Sequence, residues 1–150
     1  MDENKAVSVL ENLMETCKDA QKGYQDAAEK TKRPDLKAFF NEQSLERSRF
    51  AGELESELIR SGKPDKRASG SVGGALRRAW IDTKVAMGGG EKTILESLEA
   101  GEDSAKESYR KALTGDLPEN IAHIVRRQAA SVQQAHDKVK KLRDQAKAAA

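Results

Sequence analysis

The chain has 150 residues, enough for one domain with a substantial hydrophobic core and few for two. Charged residues make up 35% of the sequence and aromatic residues only 4%, which favours long amphipathic helices over an all-β fold. The net charge is only +2, which argues against a protein specialised in wrapping nucleic acid. We therefore expect one all-α domain over residues 1–150.

Cysteine content and hydropathy bound the cellular location. Cys17 is the only cysteine, so no internal disulfide forms and a reducing compartment is expected. The N-terminal segment MDENKAVSVLENL is interrupted by charges, and no run of about eighteen apolar residues occurs. These features predict a soluble, cytoplasmic protein without a signal peptide or a membrane span. No His or second Cys lies near Cys17, so we expect a small buried thiol and not a nucleophile.

The first part of the chain predicts a helical hairpin over residues 3–61. Apolar side chains recur at three- and four-residue steps from about residue 3 to residue 31, the period of one helical face. Pro34 disfavours helical geometry in the residue before it and suits the first turn of a new helix. A connection this short requires the two helices to run antiparallel, and Ser61-Gly62 ends the second one.

A crossover and a second hairpin follow. Residues 62–90 begin with the turn-forming stretch GKPDKRASGSV, and a short helix is predicted over 73–87. The second hairpin covers residues 91–147: a third helix over about 91–114, then a fourth helix capped by Asp116 with Pro118 in its first turn. Two hairpins joined by a long crossover do not form a simple up-down-up-down bundle.

The two hairpins also resemble each other in sequence. At a constant offset of 85 residues, apolar and tyrosine positions coincide: Leu10 with Leu95, Leu13 with Leu98, Ala20 with Ala105, Tyr24 with Tyr109, Leu36 with Ile121, Phe40 with Val125, and Leu54 with Val139. This internal repeat predicts that residues 1–62 superpose on residues 86–147 by a rotation close to twofold.

One carboxylate lies on an otherwise apolar helical face. Glu102 shares the stripe of the third helix with Tyr109, seven residues further on. A buried charge needs a partner, since an isolated carboxylate is costly to remove from water. We therefore expect Glu102, Tyr109 and Tyr24 to face the bundle axis, with Glu102 bound to a cation or a hydroxyl.

The Glu-x6-Tyr pattern, the paired hairpins and the crossover resemble the ferritin and rubrerythrin superfamily. The whole chain, including the stretch SGSVGGALRRAW, resembles a bacterial family of ferritin-like four-helix-bundle proteins whose domain has no known function. The resemblance implies a ferritin-like four-helix bundle of two antiparallel hairpins joined by a long crossover. It brings no established activity with it.

The resemblance also implies a place for metal. The di-iron centre of the superfamily takes one Glu from each of two helices and a Glu-x-x-His motif from each of the other two. No Glu in this sequence is followed by a His three residues later, and Cys17 stands where the offset would place the counterpart of Glu102. Glu102, His136 and Glu46 remain as candidate ligands, with Cys17 or Asp19 as a further one, a reduced set that suits at most a single iron or other divalent ion.

A different set of residues of the second helix could face the bundle interior. Arg47 and Phe50 could occupy the inward positions instead of Glu46. An arginine there would repel a cation, because its charge is fixed.

Three functional hypotheses follow. The first is a non-enzymatic or catalytically degenerate ferritin-like bundle that acts as a structural or interaction protein, forms a homo-oligomer and has neither catalytic residues nor a cofactor. The alternative is a metal-binding protein or oxidase that holds iron or manganese with the reduced ligand set. The third is a binding module whose basic residues 60–84 meet anionic lipid or nucleic acid, although no specific nucleic-acid motif is present.

Overall fold

The computed structural model describes residues 3–61 and 90–149. These residues form four α-helices: α1 Glu3–Lys30, α2 Pro34–Arg60, α3 Glu91–Thr114 and α4 Glu119–Ala149. No strand occurs in the two described ranges, so the predicted all-α class is confirmed. The short helix predicted over 73–87 lies outside them. No helix in these ranges is both long and apolar enough to span a bilayer.

The first connection has the predicted proline and a contact that the prediction missed. Arg33 has extended backbone geometry with φ −96° and ψ 118°, as expected for a residue before proline, and α2 begins at Pro34. The Thr31 hydroxyl donates to both carboxylate oxygens of Glu91 at 2.6 and 2.9 Å. The Lys32 N–H donates to the same carboxylate at 2.8 Å. The end of α1 is thereby tied to the start of α3.

The start of α4 differs slightly from the prediction. The helix begins at Glu119, and the Pro118 carbonyl accepts the N–H groups of Ile121 and Ala122 at 3.0 and 2.8 Å. Proline suits this place because it has no N–H of its own to satisfy.

Side-chain contacts show that α1 and α3 are antiparallel. Tyr24 of α1 contacts Glu102 of α3, and Cys17, earlier in α1, contacts Tyr109, later in α3. α1 packs against α2 and α3, and α4 packs against the same two helices. The diagonal pairs, α1 with α4 and α2 with α3, have no such backbone contacts in the described structure.

The pair α2 and α4 is antiparallel as well. Glu57 near the end of α2 contacts Asn120 at the start of α4, and Glu46 contacts Ser131 further along. Since α1 is antiparallel to both α2 and α3, those two helices are parallel to each other. The end of α2 and the start of α3 therefore lie at opposite ends of the bundle, as the predicted crossover topology requires.

The contacts also follow the internal repeat. Shifting Cys17 and Tyr109 by 85 residues in opposite directions gives Glu102 and Tyr24, and both pairs are hydrogen-bonded. The bonded pair Glu46 and Ser131 is separated by 85 residues and maps onto itself. These relations are those of an approximate twofold axis that passes between α2 and α4.

Two apolar clusters make up the core. The first contains Leu13, Phe50, Leu54, Ala105 and Val125 among others. The second contains Phe40, Leu95, Leu98 and Val139 with their neighbours. The polar residues described below lie between the two clusters along α2 and α3.

Truncating equivalent core residues tests the repeat. Leu13→Ala and Leu98→Ala remove fully buried side chains at positions related by the offset. We expect each to lower the free energy of unfolding by about 2–5 kcal/mol in urea denaturation followed by circular dichroism. Leu113→Ala, at an exposed leucine of α3, is the control and should cost about 1 kcal/mol or less. Equal effects at all three positions would contradict the assigned core.

Candidate functional site

A group of polar side chains lies inside the bundle, where the two apolar clusters meet. All four helices contribute, and every member is at most 2% exposed to solvent. We call this set the polar centre; it comprises Cys17 and Tyr24 from α1, Arg47 from α2, Glu102 and Tyr109 from α3, and Gln128 from α4.

Glu102 binds both a cation and a hydroxyl, which confirms the prediction made for it. Its Oε2 atom accepts a hydrogen bond from Arg47 Nη2 at 2.5 Å and another from the Tyr24 hydroxyl at 2.5 Å. The Arg47 guanidinium carbon also lies 5.6 Å from the centre of the Tyr24 ring, within cation–π range. One carboxylate oxygen thus joins three helices.

The stability of the folded state depends strongly on this ion pair. Glu102 Oε1 and the Nε and Nη1 atoms of Arg47 have no hydrogen-bond partner among the described residues. Removing either partner would leave the other charge buried and uncompensated, which costs several kcal/mol, whereas an apolar pair of similar size is tolerated.

The charge states of the centre follow from these contacts. Burial is the largest effect on the pKa of Arg47 and lowers it, but the charge of Glu102, its hydrogen bond and the neighbouring Tyr24 and Cys17 together outweigh burial and hold that pKa above its ordinary value. Burial, with the neighbouring Glu102 charge, raises the pKa of Tyr24 well above its ordinary value. Arg47 is therefore a permanent cation, and Tyr24 a neutral donor.

A second hydrogen-bonded chain crosses the centre. Gln128 Nε2 donates to the Phe50 carbonyl at 3.3 Å and to Glu53 Oε1 at 2.9 Å, which fixes the orientation of the amide. Its Oε1 atom accepts from the Tyr109 hydroxyl at 2.7 Å. Since Tyr109 has one proton to give, Cys17 Sγ, 3.1 Å away, must be the donor toward Tyr109.

Cys17 is a protonated, buried thiol, as predicted. Burial raises the pKa of Cys17 from 9.0 to about 11. Metal ligation and nucleophilic attack both use the thiolate, which is scarce here at neutral pH.

The structure does not bring together the three predicted ligands. Glu102 faces the axis, whereas the half-buried Glu46 accepts a hydrogen bond from Ser131. His136 is buried, at 7% exposure, and its ring nitrogens contact Asp103 and Asp137. Within the described ranges, no three His, Cys, Asp or Glu side chains are grouped so as to hold a metal ion.

The contacts of His136 explain its orientation. Its Nε2 atom lies 2.7 Å from Asp103 Oδ1, and its Nδ1 atom lies 3.1 Å from Asp137 Oδ1. Both aspartates are exposed, so the imidazole binds carboxylates at the edge of the bundle. Its hydrogen bond to Asp137 is the largest effect lowering the pKa of that aspartate.

The alternative register of α2 describes the interior better. Arg47 and Phe50 are buried, while Glu46 is not. The offset relates Arg47 and Phe50 to Val132 and Ala135, which are buried on α4. The inward positions that correspond to the six expected ligands are therefore Cys17, Arg47, Phe50, Glu102, Val132 and Ala135. Only Glu102 offers a carboxylate and none offers an imidazole, so this set does not fit a two-metal centre.

A surface groove of about 360 Å³ lies between α3 and α4. Acidic and basic side chains both line it, among them Asp103, Lys106 and Arg110. Tyr109 is the one member of the polar centre that borders the groove. Glu102 and Arg47 are not part of its lining, so the groove gives no route to the ion pair.

Comparison with known proteins identifies a family that matches the chain, but it identifies no activity. Residues 5–115 match the family described as "Domain of unknown function (DUF2383)". The matched range covers α1, α2 and α3, and so includes both partners of the buried ion pair. No curated protein matches the chain closely enough to count as a relative.

A double-mutant cycle tests the ion pair. Arg47→Met and Glu102→Leu should each lower the free energy of unfolding by about 3–5 kcal/mol, because each leaves a buried charge alone. The double variant should be clearly more stable than the sum of the two losses predicts. Urea unfolding of all four proteins measures the coupling. Additive losses would mean that the two groups do not depend on each other.

The pH dependence of stability tests Cys17. Since the folded-state pKa is raised, the thiol's contribution is complete below pH 9.0 and is lost as pH rises toward about 11. The loss should amount to about 3 kcal/mol. In Cys17→Ala that loss is absent, so the stability difference between the two proteins should shrink over this range. The cavity left by the substitution adds only a constant offset, and a difference that is independent of pH would contradict the assignment.

Proposed function

We propose that this chain, which belongs to the DUF2383 family, is a ferritin-like helical bundle without a catalytic centre that acts as a structural or interaction protein. The observation that supports this most directly is the buried ion pair, in which Arg47 Nη2 lies 2.5 Å from Glu102 Oε2. A cation already neutralises the carboxylate of Glu102, and that cation belongs to the chain itself.

Electrostatics explains why the pair disfavours a metal at this position. A divalent ion bound to Glu102 would either lie beside the guanidinium, at Oε1, or displace it from Oε2, and the guanidinium stays charged at every accessible pH. Two unit charges 4 Å apart repel by about 4 kcal/mol at an effective dielectric constant near 20, and a divalent ion doubles this. If Arg47 were displaced, the protein would also have to place it elsewhere in a buried interior.

Burial of the reactive groups supports a non-catalytic role. A catalytic side chain must reach its substrate, whereas Cys17, Tyr24 and Glu102 have no measurable exposure. Among the described residues, Cys17 contacts Tyr109, and Tyr24 and Arg47 both donate to Glu102. The groups that could perform chemistry are thus committed to packing and to neutralising charge.

Metal content tests this proposal. Protein purified from medium supplemented with iron, manganese and zinc should contain far less than one ion per chain by elemental analysis. Glu102→Gln should have the same content, because no ion depends on that carboxylate. If the unmodified protein retains one or two ions per chain and Glu102→Gln loses them, the metal-binding or oxidase alternative is correct.

A variant with a rebuilt ligand set gives a positive test. Cys17→Glu, Arg47→Glu, Phe50→His, Val132→Glu and Ala135→His together complete the ligand set at the buried positions. This variant should gain cobalt binding, visible as d–d absorption bands, that the parent lacks. The matched control introduces Arg49→His and Gln133→Glu instead, both at exposed positions, and should gain none. Equal cobalt binding by both variants would contradict the assigned register.

A further inference from the structure

The outer face of α2 carries an exposed apolar stripe. Leu45 and Ile59 are both 56% exposed, the highest values among the large hydrophobic side chains in the described ranges. They are separated by fourteen residues, close to four helical turns, so they lie on the same side of α2. Gly52 stands midway between them. We call these three residues the outer stripe.

The backbone at the centre of the stripe is open. Apart from the local backbone of α2 and the residues next to Gly52, no atom lies within 4 Å of the place where a Cβ on Gly52 would be. A glycine on the outer face of a helix costs roughly 1 kcal/mol relative to alanine, and it allows another backbone to come close. The described part of the chain supplies nothing that takes this space.

Two opposite charges flank Gly52. Arg49 lies three residues before it and Glu55 three residues after it, and both are exposed. Neither forms an ion pair or a hydrogen bond with another described residue, whereas the exposed Arg110 and Arg126 pair with Glu107 and Glu119. The charges beside the stripe are thus available to another molecule.

We infer that the outer stripe is a dimer interface, in which α2 packs antiparallel to α2 of a second copy about a twofold axis beside Gly52. Such an axis brings each residue before Gly52 level with the residue equally far after it in the other copy. Leu45 then meets Ile59 of the second copy, and Arg49 reaches across to Glu55 of the second copy. This inference rests on the proposed interaction role and names the partner.

The symmetry of the sequence about Gly52 is what favours a second copy over an unrelated partner. An apolar residue stands at seven positions on either side, and charges of opposite sign stand at three positions on either side. Ser48 and Ser56, at four positions on either side, bring no charge into contact. Under a twofold axis every apolar group therefore meets an apolar group, and every charge meets its opposite.

The size of the stripe indicates a reversible dimer. One exposed helix face per copy buries less surface than a standard interface of about 1,600 Å². We therefore expect association to depend on protein concentration, and to weaken as salt screens the two exposed ion pairs.

Sedimentation velocity over a range of concentrations tests the apolar part. The unmodified protein should pass from monomer to dimer. Leu45→Glu and Gly52→Trp should remain monomeric at concentrations where the parent is dimeric. The Cβ position of Gly52 has free space within the described structure, so Gly52→Trp should keep its helical circular dichroism and block only the close approach. Leu113→Glu, at an exposed leucine on α3, is the matched control and should dimerise like the parent.

Charge reversal tests the geometry. Arg49→Glu and Glu55→Arg should each weaken dimerisation at least about tenfold, because each places two pairs of like charges across the interface. Mixing the two single variants in equal amounts should restore dimers, since both ion pairs are then complementary again. A role of these residues in monomer folding would give no such recovery.

Three results would overturn the inference: a monomer at every concentration, a dimer that survives Leu45→Glu and Gly52→Trp, or single charge variants that stay apart when mixed. These outcomes are independent of metal content. A metal-free monomer would refute the dimer and leave the proposal on the polar centre intact. A metal-loaded dimer would do the reverse.

Discussion

The ion pair between Arg47 and Glu102 is the constraint on which the interior of this bundle depends. A carboxylate on the buried face of α3 must be neutralised, and the neighbouring helices α1 and α4 supply no cation to it. The cation comes from α2, the helix diagonally opposite, whose backbone makes no close contact with α3. A long arginine side chain spans this diagonal, and it thereby links the two hairpins through the centre of the molecule.

The side chains of the polar centre depart from the approximate twofold symmetry of the bundle. Tyr24 and Tyr109 are equivalent, yet Tyr24 donates to a carboxylate and Tyr109 donates to an amide. The counterparts of Arg47 and Glu102 are Val132 and Cys17, so each hairpin contributes one charge and the equivalent position in the other hairpin carries none. The two charges balance each other, and both side chains are at most 1% exposed to solvent.

Much of the fold could be predicted from the sequence because the relevant signals are local or repeated. The period of apolar residues and Pro34 placed the first hairpin, and the offset between the halves placed the second. The inward direction of Glu102 followed from its position between Leu98 and Ala105, both buried on the same stripe. In a long amphipathic helix, the spacing of the apolar residues shows directly which face is buried.

The partners inside the bundle could not be predicted in the same way. Glu46 and Arg47 are adjacent at the edge of the stripe of α2, where a rotation of one residue decides which of them faces the axis. Arg47 faces the axis because it pairs with Glu102, which is 55 residues away in sequence. His136 is buried as well, but its Nε2 atom contacts the exposed Asp103 on the neighbouring helix. Apolar periodicity cannot predict such pairings, because they depend on how two helices are rotated relative to each other.

The most direct measurement of the central claim is a high-resolution crystal structure from crystals soaked in iron or manganese, with anomalous data collected at the metal edge. We predict that Arg47 Nη2 stays on Glu102 Oε2 and that no anomalous peak appears within coordination distance of Glu102. An anomalous peak at Glu102, with the Arg47 guanidinium displaced from it, would contradict the account.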